Sequence, residues 1–378
     1  MNMLEVNAED IRKRLMDEES RDIFDWRYEY YKTGNQRELH RRLLLTSEDS
    51  IIKYKQLRRD VERIRRPDTP AYPDAFDFAK NENMRTRGVI LYGAGAMLSY
   101  CVNYMEFLEV PIKAICDTYK HGETYGGRQI ISMDEALMLR GDAAVLITTL
   151  YAAYQHEIRR ALLERSIPED ALFFMFDSVD TISFDYIRQY FPEDIMKPLP
   201  NEVFIDAGCF DGHTILAFRE FTGKMGYKHI YGFEPHTESF AVTMNTLREH
   251  RVDHVTIQNK GLWNTAETLH FGEDNHNGGA GIAADGALKI ETIRLDDVVD
   301  SENKVTFLKM DIEGAELNAL HGASGIIRRD KPRLAICVYH KPEDILEIPS
   351  YILSLNEEYR LYLRHHSLYE WETVLYAI

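Results

Sequence analysis

The sequence has little cysteine: four residues in 378, at positions 101, 116, 209 and 337. They lie far apart and lack the paired spacing of a zinc site or a disulfide framework, so neither is expected. Their apolar surroundings suit buried reduced thiols, and a cytoplasmic location is the matching expectation. No run of about 18 apolar residues occurs, which argues against a membrane-spanning helix. The opening stretch MNMLEVNAEDIRKRL has no apolar segment and does not read as a secretory signal. An excess of positive charge is also missing. Against 62 Asp and Glu stand 45 Lys and Arg, a formal net charge of −17. Nucleic acid, whose phosphates need a basic surface, is therefore not an expected partner. One basic stretch, Lys53 to Arg66, holds seven basic and two acidic residues. It reads as a solvated helix face.

What is present is a twofold alternation of strand and helix patterns. Residues 1–85 read as a polar helical segment, with Ile11, Leu15, Ile23, Phe24 and Leu39 along one side and a break at Thr33-Gly34-Asn35. These helices could form a homodimer interface or pack on their own chain. Pro67, Pro70 and Pro73 mark a linker. Residues 86–180 read as a first α/β domain, with strands at Gly88–Tyr92, Ile112–Cys116 and Ala143–Thr149. Residues 181–200, with three prolines, read as a boundary. From residue 201 to 378 the alternation restarts, and two strand-like runs, Arg360–Arg364 and Thr373–Ala377, close the chain as an antiparallel pair. The expected fold class is α/β, two doubly wound Rossmann-like domains behind a helical segment.

The second domain carries the chemistry. Its first strand ends in Phe204-Ile-Asp206-Ala-Gly208-Cys-Phe210-Asp211-Gly212-His-Thr214. Gly208 permits a tight turn and a close ligand, and the helix that follows offers unpaired N–H groups to an anion. A dinucleotide fingerprint would place a second glycine where Phe210 stands. A pyrophosphate would meet that ring, so a smaller carboxylate fits better, such as the methionine end of S-adenosylmethionine. Asp206 could then pair with its ammonium. The next strand ends in Glu234-Pro235, where a carboxylate can accept both ribose hydroxyls. Asn259 to Trp263, with Gly261, would edge the adenine. The fourth strand delivers Asp311, Glu313 and Glu316 within six residues, and the fifth leads to His340. His340 is the first choice of proton acceptor on intrinsic pKa, with Asp311 and Glu313 as the other choices. An ion on Asp311 and Glu313 has no evident third ligand, so no metal is expected. The glycine-rich Asn275–Gly281 reads as a loop able to close over the acceptor.

These motifs resemble the FkbM family of methyltransferases. The resemblance rests on Ile205–Thr214, Phe233-Glu-Pro235, Gly261-Leu-Trp263, Lys309-Met-Asp-Ile-Glu-Gly-Ala-Glu316 and Val338-Tyr-His340. It implies a seven-stranded class I methyltransferase fold ending in a hairpin, S-adenosylmethionine as cofactor and a hydroxyl as acceptor, often on a sugar or polyketide. The cofactor-binding residues it points to are Asp206, Gly208, Phe210, Asp211, Gly212, Thr214, Glu234, Pro235, Asn259, Gly261 and Asp311.

In the first domain, Gly93-Ala-Gly95 followed by Asp117 matches part of a dinucleotide fingerprint, with Leu98 in the place of its third glycine. The domain resembles the Rossmann-like domain ahead of some sugar acetyltransferases. A nucleotide or nucleotide-sugar at Gly93, Gly95 and Asp117 is one reading, and a purely structural role is another. The alternatives to a methyltransferase are an NAD-dependent sugar-modifying enzyme and a non-catalytic nucleotide-sugar-binding scaffold.

Overall fold

A computed structural model describes residues 8–43, 82–95, 97–149, 152–175, 186–273, 280–282, 288–299, 302–367 and 370–378. The basic stretch Lys53–Arg66, the three-proline linker and most of the glycine-rich loop lie outside these residues. The chain divides into two units: residues 36–184, and residues 1–35 together with 185–378.

The smaller unit is built on strands β1 (Val89–Tyr92), β2 (Ile112–Cys116), β3 (Thr124–Tyr125), β4 (Arg128–Ile131), β5 (Ala144–Ile147) and β6 (Leu172–Phe174). They form one sheet in the order β3-β4-β2-β1-β5-β6. It is parallel except for the β3–β4 hairpin. Every residue of β1 and β5 is buried, as expected of strands covered on both faces by crossover helices.

The larger unit holds a seven-stranded sheet in the order β16-β17-β15-β14-β7-β8-β9. Its strands are β7 (Glu202–Ala207), β8 (Tyr227–Phe233), β9 (Val255–Gln258), β14 (Phe307–Met310), β15 (Arg333–Cys337), β16 (Leu361–His365) and β17 (Thr373–Ala377). Five are parallel, and β17 runs antiparallel to both β15 and β16. This is the doubly wound sheet with a closing hairpin that the sequence pattern predicts. A small sheet missed by that pattern, β10-β13-β11-β12, joins Gly261–Leu262, Leu288–Ile293, Thr268–Glu273 and Ala280–Ile282. Beneath the main sheet Phe191, Phe204, Phe218 and Phe307 are fully buried. Phe204 stacks on Phe218 at 4.3 Å between ring centres. Each such burial is worth about 1.5–3 kcal/mol.

The amino-terminal helices Ala8–Arg14 and Glu18–Thr33 belong to the larger unit, not to a separate segment running to residue 85. Of the two arrangements open from sequence, the structure shows packing on their own chain. The reason is the edge strand β16, whose outer N–H and C=O groups would otherwise be unpaired. Leu15 bridges to Leu361, and the N–H of Met16 donates to the Leu361 carbonyl at 3.0 Å. Ser20 Oγ accepts from the N–H of Leu363 at 2.9 Å. Ile11, Leu15, Ile23 and Phe24 bury the apolar face. Leu39, by contrast, falls in the smaller unit, where His40 bonds Asn103 at 3.0 Å.

Arg364 on β16 fastens this arrangement, with Nη2 2.8 Å from Asp17 Oδ2 and 3.0 Å from Asp194 Oδ2. Burial alone would raise the Asp17 pKa, but Arg364 and Ser20 outweigh it and bring it to about 2. A carboxyl so depressed stabilises the fold above its unfolded pKa, and loses that contribution as pH falls from about 4 towards 2. Asp17 is 35% exposed, so solvent screening leaves about 1 kcal/mol. Asp17→Asn should lower unfolding free energy by that amount at pH 7, measured by urea denaturation. The gap from the wild-type protein should close as pH drops below about 4.

Candidate active site

The carboxyl ends of β7, β8 and β14 meet at one turn. Gly208 follows β7 with φ +81°, and a Cβ there would lie 2.0 Å from the Asp311 carbonyl oxygen. Only glycine fits, because the left-handed conformation and the close approach both exclude a side chain. Phe210 also has positive φ, +48°, and its ring is 65% exposed. Its N–H donates to Glu234 Oε2 at 2.9 Å, while the N–H of His236 donates to Glu234 Oε1 at 2.9 Å. Glu234 is thus buried and held at both oxygens, each retaining a lone pair for a further donor.

Several predicted residues support this turn. Asn259 Nδ2 donates to the carbonyls of Glu234 and Pro235 at 2.8 and 3.1 Å. Asp211 Oδ1 accepts from the N–H of His213 at 3.0 Å. Gly212, with φ +83°, caps the helix His213–Thr222 without offering a side chain to its first-turn N–H groups. Thr214 is buried in that first turn. Beside the turn, Gly208, Phe233, Pro235, Gly261, Leu262 and Ile290 line an apolar recess that also touches Ile312 and Ala315.

Asp206 is placed differently from expectation. It is fully buried and 3.2 Å from Lys309 Nζ, so its counter-charge comes from within the sheet and not from a ligand ammonium. Lys309 also donates to the carbonyls of Gly208 and Ala207 at 2.7 and 3.2 Å. Burial raises the Asp206 pKa to about 6 against the pull of Lys309.

The acidic segment after β14 forms a cluster with His340. Asp311 Oδ2 accepts from Tyr190 Oη at 2.7 Å and Oδ1 from Tyr339 Oη at 3.1 Å. His340 Nε2 is 3.5 Å from Asp311 Oδ1 and 3.6 Å from Glu313 Oε2, and Nδ1 is 3.0 Å from Glu316 Oε1. Burial opposes charge on His340, but Glu316, Asp311 and Glu313 together outweigh it and raise its pKa to about 10. The ring of carboxylates favours the charged imidazolium, which weighs against His340 as the proton acceptor. Glu313 is half-exposed, and burial, relieved in part by His340, raises its pKa to about 7.

Sequence reasoning brought Gly208, Glu234, Asp311, Glu313 and His340 to the same edge. It missed Tyr190, which lies 121 residues from Asp311 in a helix with no motif. It also missed the use of Lys309, although that residue stands two places before Asp311. In the smaller unit Ala94 and Asp117 meet, but the Asp117 carboxylate accepts from the N–H groups of Ala94, Tyr119 and Lys120 at 2.7, 2.7 and 3.0 Å. Gly93 is confined by Thr148, 2.6 Å from where its Cβ would stand.

Residues 206–366 match the family model described as the Methyltransferase FkbM domain, so the larger unit carries a methyltransferase domain. The search of curated proteins finds no match. Among solved structures, a methyltransferase FkbM from Methylobacillus flagellatus KT is 21% identical, with a TM-score of 0.49 over 81% of this chain and 94% of that one. An rRNA methylase from Streptococcus thermophilus is 14% identical, with a TM-score of 0.32 over 54% of this chain and 96% of that one. Aeropyrum pernix fibrillarin is 13% identical, with a TM-score of 0.31 over 48% of this chain and 70% of that one.

The buried Lys309–Asp206 pair gives a direct expectation. Lys309→Met leaves a carboxylate with no counter-charge and should cost about 3–5 kcal/mol in urea denaturation. Adding Asp206→Asn should recover much of that loss. A single-variant loss below about 1 kcal/mol would show that the pair does not act as a unit.

Proposed function

We propose that the larger unit transfers the methyl group of S-adenosylmethionine to a hydroxyl oxygen of a sugar, glycan or related metabolite. The observation that carries this reading is Glu234, held by two backbone N–H groups one strand away from the Gly208 turn. A carboxylate at that place accepts both hydroxyls of a ribose. The apolar recess between Pro235, Gly261 and Ile290 then takes the adenine ring. The methionine carboxylate meets the uncapped start of the helix His213–Thr222, where unpaired N–H groups favour an anion.

The sulfonium supplies a good leaving group when bound. The protein's own task is to hold the acceptor oxygen in line with the methyl carbon and to accept the hydroxyl proton. Glu313 is the group for that proton, being the most exposed carboxylate of the cluster and able to meet an acceptor entering from solvent. Asp311 is engaged by Tyr190 and Tyr339 and serves to orient. The smaller unit has no part in this proposal.

Calorimetry with S-adenosylhomocysteine tests the cofactor half. Wild-type protein should bind it, and Glu234→Ala should weaken binding about 10- to 100-fold, the loss of two hydrogen bonds to a charged group. Absence of binding to the wild-type protein would refute the reading. For the acceptor half, methyl-labelled S-adenosylmethionine is offered with a panel of saccharides, and transfer is read by mass. Glu313→Gln should lower kcat about 100-fold, with S-adenosylhomocysteine affinity unchanged.

A further inference from the structure

We infer that Asp311, Glu316 and His340 form a divalent-cation site of mixed oxygen and nitrogen donors, open towards Glu313. One donor atom from each of the three residues can be chosen so that all lie within 4.8 Å of one another. A six-coordinate ion with bonds of about 2.1 Å places neighbouring donors about 3 Å apart and opposite donors about 4.2 Å apart. The spacing from His340 Nδ1 to Glu316 Oε1 is 3.0 Å, and that from Nε2 to Asp311 Oδ1 is 3.5 Å. An ion takes only one ring nitrogen of His340, so these spacings put an oxygen donor beside each nitrogen, and the set of one donor atom per residue, all within 4.8 Å, defines the site.

A second observation is independent of the spacing. Glu316 is fully buried, yet its Oε2 has no hydrogen-bond partner among the described residues. The His340 side chain is 9% exposed, and neither ring nitrogen makes an aligned hydrogen bond, even at 3.0 Å from Glu316. Buried polar atoms are normally satisfied, and each exception asks for a cause such as an ion. The charge balance points the same way. Asp311, Glu313 and Glu316 face one imidazole, and the nearby Lys309 already serves Asp206 and two carbonyls. A cation takes the place of the imidazole proton, which leaves to solvent, and His340 then ligates through a neutral ring nitrogen.

Asp311 and Glu316 supply hard oxygens and His340 a borderline nitrogen, a donor set that accepts Mn²⁺ and Mg²⁺. Glu313, half-exposed and 3.6 Å from His340, lies on the side that opens outwards. This role rests on the proposed methyl transfer. The ion's remaining positions would hold two adjacent oxygens of the acceptor and lower the pKa of the hydroxyl that Glu313 deprotonates.

The test uses the full chain, stripped with a chelator and titrated with Mn²⁺ while the free ion is followed by electron paramagnetic resonance. One Mn²⁺ per chain is expected, and pulsed spectra of the bound ion should show nitrogen coupling from one imidazole. His340→Gln should remove that coupling and weaken binding at least about tenfold. The wild-type spectrum decides even if the variant does not fold: no bound Mn²⁺, or bound Mn²⁺ without nitrogen coupling, overturns the site. Calorimetry with S-adenosylhomocysteine separates the two claims. Binding of the nucleoside without Mn²⁺ removes the ion and leaves methyl transfer standing. Nitrogen-coupled Mn²⁺ without nucleoside binding keeps the ion site and removes methyl transfer.

Discussion

The ion pair between Lys309 and Asp206 governs the geometry of the site. The two residues are direct partners in the parallel pairing of β14 and β7, so their side chains leave the sheet on the same face. Both are buried, and a charge there survives only with a partner. Lys309 meets that requirement with Asp206, then uses its other protons on the carbonyls of Ala207 and Gly208. The chain leaving β7 is thereby held where Gly208 must pass against the Asp311 carbonyl. From that point the backbone can only turn, and the turn delivers the N–H of Phe210 to Glu234. A single ammonium thus fixes the cofactor-side turn and the strand that carries Asp311. The two halves of the site cannot move independently.

Electrostatics then sorts the remaining acids. Asp311 is partly buried, and Lys309, His340 and the hydroxyl of Tyr190 outweigh its desolvation and hold its pKa below the usual carboxylate range. For Glu313 and Asp344 burial outweighs the pull of His340 and, at Asp344, of Lys341, and raises each to about 7. Glu372, partly buried, is raised by desolvation and by the nearby Asp311 to about 8. Carboxyls of one chemical type thus divide into an anchored anion and neighbours poised to carry a proton. Such a division is how a site assigns acid and base roles near neutral pH. The arrangement costs stability, because like charges are brought together in a low-dielectric place. A binding site tolerates that cost where a ligand or ion repays it.

The sheet was legible because its central strands carry continuous apolar runs, and each ends in a residue with an evident task. Gly208, Glu234, Asp311 and His340 all stand one to three residues beyond a buried strand, so their common edge follows from connectivity alone. What was not legible depends on contacts between distant segments. The strand edge at Leu361 and Leu363 shows nothing in its own sequence to say that residues 15–20 cover it. Asp206 reads as a ligand acid until the register of β7 on β14 sets Lys309 beside it. Asp117 reads as a ribose acid, and its place in the fold adds three backbone N–H donors from its own turn. At His340 intrinsic pKa leaves out the surroundings: three carboxylates from the segment 311–316 face the ring.

The Asp311 cluster draws on parts of the chain that the domain match does not reach. Residues 206–366 hold the turn, the acids and His340. Tyr190, whose hydroxyl grips Asp311, precedes that segment, and Glu372 follows it. Gln189 ties the two together: its amide donates to Glu372 and to Tyr190 Oη, and its carbonyl accepts from Tyr376 Oη. Tyr376 lies on β17 and is paired with Tyr362 on β16, the strand that the amino-terminal helices cover. A continuous line of contacts therefore runs from residues 15–20 through the closing hairpin and Gln189 to Tyr190 and Asp311. The turn at Glu234 is a local motif, whereas the surroundings of Asp311 are assembled from both ends of the chain. Sequence change in the amino-terminal helices can reach the Asp311 cluster through that packing without touching the Glu234 turn.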